Sequence, residues 1–155
     1  MTDGIAPDPS TPAQPLAIAS MLRQRVQREP LWIPVHGASM GRTIAAGSEV
    51  LIAARRAPRL GEVWAFCDER GTLVVHRYMG RRHDSLRMQG DAQYEDPAVS
   101  ADALIGRVIA VRREGRGRAL GERERVVRGL RLLVYRRARA VAGRARRRVR
   151  RALSR

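Results

Sequence analysis

The sequence predicts a mainly β protein, a small antiparallel barrel or sandwich, with a short helix before it and a basic amphipathic helix after it. Three observations predict this. Between residues 31 and 113 short apolar segments with a period of two are separated by glycine-bearing turns, the pattern of antiparallel strands rather than of strand–helix–strand units. On either side of that stretch the apolar period is three to four. At 155 residues and 44% hydrophobic content, the chain has length for about one domain and apolar material for a single core.

Residues 1–15 carry Pro7, Pro9, Pro12 and Pro15 among small and acidic residues, a composition that buries too little surface to offset ordering, and they are predicted to be a disordered tail. Across residues 16–30, Leu16, Ala19, Leu22 and Val26 recur at three or four, giving a short amphipathic helix stopped by Pro30. The β-rich domain follows. Leu31, Ile33 and Val35 alternate with Trp32 and Pro34; Val50 to Ala53 forms a second strand after Gly47, and Val63 to Phe66 a third after Gly61. Asp68-Glu69-Arg70-Gly71 is a hairpin turn into Leu73 to Tyr78. Ser85 to Gln89 is a weaker strand, and Leu104 to Val111 closes the series. After Gly115-Arg116-Gly117 the helical period returns over residues 119–155, with Leu130, Val134, Val141 and Val149 on one face and arginines on the other.

Net charge is +16, and all 31 basic residues are arginine. Fourteen of those arginines, against Glu122 and Glu124, lie in residues 119–155, so the basicity belongs mainly to the tail. A lone Cys67 excludes an intramolecular disulfide, and three histidines with one cysteine show no metal-ligand spacing. No apolar run approaches the roughly 18 residues that span a bilayer, and the N-terminus has no secretory-signal pattern. The expectation is a chain that does not cross a membrane by itself, either cytoplasmic or attached peripherally to an anionic surface through the arginine-rich helix. Aromatic content of 4% argues against a base-stacking platform. A basic nucleic-acid-binding or surface-binding protein, without catalysis, is the alternative class.

Four segments carry chemistry by their order: Gly37-Ala38-Ser39-Met40 with Thr43-Ile44, Gly61 to Phe66, Val74-Val75-His76-Arg77, and Gly90-Asp91 followed by Asp96-Pro97 and Ile105 to Val108. Together they resemble the type I signal peptidase family, in particular its serine–histidine branch, over residues 31–113. The resemblance implies a β-rich catalytic domain of the signal-peptidase type, a serine endopeptidase that cleaves leader or signal peptides after small residues. It implies Ser39 as nucleophile and His76 as its base, with Asp96, or else Asp91, orienting the imidazole. No cofactor or metal is implied. The chemistry is coherent: a neutral imidazole with an ordinary pKa of about 6.5 can take a serine proton and return it to the leaving amine. Lacking lysine, the chain offers only three imidazoles for that task, and His36 and His83 lie beside turns. The sequence departs from the family at Gly37, where a serine often supplies an oxyanion donor; backbone donors such as the Ser39 amide remain.

Overall fold

Residues 13–93, 98–121 and 134 are described by the structure, a computed structural model. A helix, α1 (Ala13–Arg28), precedes strands β1 (Leu31–Val35), β2 (Ser48–Ala53), β3 (Val63–Cys67), β4 (Leu73–Arg82), β5 (Ser85–Gln89), β6 (Ala98–Val99), β7 (Leu104–Arg113) and β8 (Arg116–Ala119), with a 3-10 turn at Ala101–Ala103. The helix starts three residues before Leu16. Pro15 falls in its first turn, where backbone N–H groups have no intrahelical acceptor and a proline costs nothing. Among the described residues no helix is long and apolar enough to cross a membrane.

All eight strands belong to one antiparallel sheet in the order β1-β2-β7-β3-β4-β5-β6, with β8 on β7. Among the described residues no pairing joins β1 to β6, so the sheet is open where the sequence predicted a barrel or sandwich. The reason is legible in β3, whose five residues are all buried. Val63, Ala65 and Cys67 enter one apolar cluster with Ala19 and Val26 of α1, Met40 and Ile44. Trp64 and Phe66 enter a second with Tyr78, Leu86, Met88 and Leu104. Successive side chains alternate across a strand, so a single sheet carries apolar cover on both faces. Gly106 lets the helix and β2 close over the first cluster: a Cβ there would lie 2.7 Å from the Ala53 carbonyl oxygen and 3.2 Å from Val26 Cγ1.

The predicted hairpin turn forms as expected. Asp68 Oδ1 accepts from the N–H groups of Arg70 and Thr72, at 3.0 and 2.8 Å, and Gly71 takes a positive φ of 77°. Residues 116–119 correct the sequence reading, which saw no strand there and began a helix at residue 119. Glu114 and Gly115 both have positive φ, 51° and 76°, which closes a two-residue hairpin and pairs Arg113 with Arg116. That strand runs along the edge of β7 that β3 leaves free, a partner that no local periodicity reveals. Val134 is helical; the rest of the predicted C-terminal helix, residues 122–133 and 135–155, and residues 1–12 lie outside the described residues.

Candidate active site

The loop between β1 and β2 carries Ser39. Tight turns shape it: the Ala38 carbonyl accepts from the Gly41 N–H at 2.9 Å and the Met40 carbonyl from the Thr43 N–H at 3.0 Å. Met40 and Ile44, 1% and 0% exposed, anchor the loop in the first cluster and leave Ser39 half-buried at its rim. Gly37 is exposed, and a Cβ built on it meets nothing within 4 Å.

The end of β5 meets this loop. The Ser39 carbonyl accepts from the Ala92 N–H at 2.8 Å, and a Cβ on Gly90 would lie 2.6 Å from that carbonyl oxygen and 3.0 Å from Ser39 Cβ. Only glycine permits such an approach. In the β4–β5 ladder Arg77 lies opposite Gln89, the last residue of β5, and Tyr78 opposite Met88. Residues opposite one another in an antiparallel pair project to the same face, with Cβ atoms about 4.5 to 5.5 Å apart. Met88, two residues before Gly90, lies with Tyr78 in the cluster that also holds Trp64, the cross-strand partner of His76.

His76 is 6% exposed. Its ring meets the Phe66 ring edge-on, with centroids 5.8 Å apart and planes at 63°, and Trp64 is its cross-strand partner. His36, just past β1, is exposed, and His83 is exposed at the β4–β5 turn with a positive φ of 51°. Neither enters this arrangement.

Asp91 serves an ion pair. Its Oδ1 accepts from Arg77 Nε at 2.8 Å, and its Oδ2 from Arg77 Nη2 at 2.7 Å and from Thr43 Oγ1. Arg77 also donates to the Gly61 carbonyl at 2.6 Å. The pair ties the serine loop, the end of β5 and the strand bearing the histidine into one unit. Asp96 lies outside the described residues. Sequence reasoning quoted Thr43, Arg77 and Gly90 within the four segments without giving them work; the signal was an arginine mid-strand, where a charge needs a carboxylate partner.

Two cavities open at Phe66 and Trp64, the aromatic neighbours of His76. One, of about 650 Å³, opens at Phe66 and has Leu16, Val99 and Ala103 in its walls. The other, of about 390 Å³, opens at Trp64 and Tyr78. Among the described residues no three His, Cys, Asp or Glu side chains converge as metal ligands would. Cys67 is buried, and burial, reinforced by the neighbouring Asp68 charge, pushes its thiol pKa up, away from a reactive thiolate. No protein-family model matches the chain, and no curated protein matches it.

Proposed function

We propose that the chain is a serine endopeptidase acting in the manner of the type I signal peptidases that its segment order resembles. The observation that carries the reading is the crowding of Ser39 onto Gly90, the residue that follows Gln89, whose ladder partner Arg77 is next to His76 in β4. His76 takes the Ser39 hydroxyl proton as the oxygen attacks the scissile carbonyl. The imidazolium then gives that proton to the leaving amine, and an acyl-enzyme remains. Water, deprotonated by His76, hydrolyses it. The Ser39 amide faces the developing oxyanion, without the side-chain donor that Gly37 lacks. Asp96 is the first choice for orienting the imidazole and Asp91, which pairs with Arg77 and Thr43, the second.

The cavity at Phe66, whose apolar walls adjoin Asp68, Glu69 and Arg70, suits side chains of an extended leader segment, and the short edge strand β6 beside it suits main-chain pairing with a substrate. The arginine-rich residues 119–155 would hold the enzyme on an anionic membrane surface in a salt-sensitive way.

The test is cleavage of a leader-bearing peptide by the intact chain, Ser39→Ala and His76→Ala. Each variant is expected to lose at least about a thousandfold in kcat. Equal turnover by all three proteins would overturn the dyad.

A further inference from the structure

We propose that the cavity beside Trp64 and Tyr78 is a binding site for an oxyanion, a phosphate or carboxylate, carried on an aromatic or apolar group. The two aromatic residues form its floor, and Arg23, Arg55, Arg56 and Arg81 stand around it, with no acidic side chain among the described lining residues. Its volume of about 390 Å³ is within the range of small-ligand sites.

The positions of these arginines are built. Arg23 Nε donates to the Leu104 carbonyl at 2.8 Å, and its Nη2 donates to the Asp102 carbonyl. Arg55 Nε lies 3.4 Å from Glu62 Oε1. The Glu62 side chain is fully buried, and its other oxygen accepts from Trp64 Nε1 at 3.1 Å. One buried carboxylate thus sets both an aromatic floor residue and a cationic wall residue. Arg107 Nη1 shares that carboxylate at 3.5 Å, so its one negative charge is divided between two guanidinium groups.

Arg55 is paired with Glu62, and Arg56 and Arg81 are exposed, so the lining keeps a net positive charge that a bound oxyanion would meet. Planar guanidinium groups pair with phosphate or carboxylate oxygens two at a time. An apolar or aromatic carrier would rest on the Trp64 and Tyr78 rings. Two sources fit this chemistry: a small organic phosphate, or the acidic side chain of an extended peptide passing His76, since Tyr78 stands two residues along β4 on the same face. The site stands whether or not Ser39 and His76 cleave peptides.

The experiment is a titration of tryptophan fluorescence in a Trp32→Phe background, which leaves Trp64 as the reporter. Phenyl phosphate is expected to give a saturable change, and benzyl alcohol none. Arg56→Glu and Arg81→Glu, both at exposed positions, are expected to weaken binding at least about tenfold. Arg116→Glu, an equal change of net charge on exposed β8, is expected to leave it unaltered. Competition by a peptide bearing glutamate, but not by its glutamine counterpart, would assign the source as a peptide; competition by neither would assign it as a small phosphate. No saturable change with phenyl phosphate, or equal weakening by all three charge reversals, would overturn the site.

Discussion

Two arginine–carboxylate pairs in this protein share one geometry and differ in setting. Arg77 and Asp91 meet through two hydrogen bonds of 2.8 and 2.7 Å with side chains 2% and 12% exposed. Arg112 and Glu49 meet through two of 2.6 and 3.0 Å with side chains 40% and 42% exposed, and the guanidinium lies 4.1 Å from the centre of the Trp32 ring. The first joins segments distant in sequence at the serine loop. The second decorates neighbouring strands β1, β2 and β7 that already pair through their backbones. Burial decides what each pair does: a buried pair broken on one side leaves an uncompensated charge, whereas an exposed one hands its partner back to water.

The sharpest way to break the comparison is to remove one partner of the buried pair. Asp91→Ala is expected to destabilise the fold by about 3 to 5 kcal/mol in urea unfolding. The double variant Arg77→Met with Asp91→Leu should recover much of that loss, because no charge is then stranded. An Asp91→Ala protein as stable as the original would show that the pair is dispensable.

Gly90→Ala sharpens it further, since the added Cβ meets a backbone carbonyl at 2.6 Å rather than a side chain that can swing away. A loss of about 1 to 3 kcal/mol is expected. Leader-peptide cleavage should fall by more than the stability loss explains, because the loop that must shift carries Ser39. Unchanged urea midpoint and cleavage would contradict the close approach.

The smallest effect belongs to Glu49→Gln. Its hydrogen bond to Arg112 holds the Glu49 carboxyl below the ordinary 4.5, against an opposing desolvation, and its presence raises the Arg112 pKa. A carboxyl with a lowered folded pKa contributes stability above its unfolded value and loses it as pH falls through the folded one. The urea midpoints of Glu49→Gln and the parent should therefore differ slightly at neutral pH and converge as the pH is taken below 4.5, with the gap at neutral pH shrinking in high salt. A gap that persists in acid would assign the effect to packing on Trp32 instead.

Much of the architecture is local information. The alternation of Leu31, Ile33 and Val35, the apolar run at Val63, and the acidic glycine turn at Asp68 each announce a strand or hairpin, and the strands form where those signals lie. Ser85 to Gln89 was legible to its ends. Two strands were not. β6 is two residues long, too short for any period, and β8 reads as a basic turn whose strand character comes only from the open edge of β7. In the site, the order of Ser39, His76 and the Gly90-Asp91 pair was visible. The ion pair of Asp91 was not, because it depends on the side chain of Arg77 reaching Asp91 from the neighbouring strand.

By itself, the sequence determined the class of the protein and its short inventory of reactive groups. Alternating apolar residues must place one face of each strand away from water, and a chain without lysine or a second cysteine offers few nucleophiles and bases. Only the tertiary structure decided that the sheet stays open, that Gly90 lets a distant serine loop press against the strand beside His76, and that scattered arginines surround one aromatic hollow. The physical reason is that periodicity is a property of neighbours in the chain, whereas close approach, ion pairing and the convergence of like charges depend on which strands become neighbours in space.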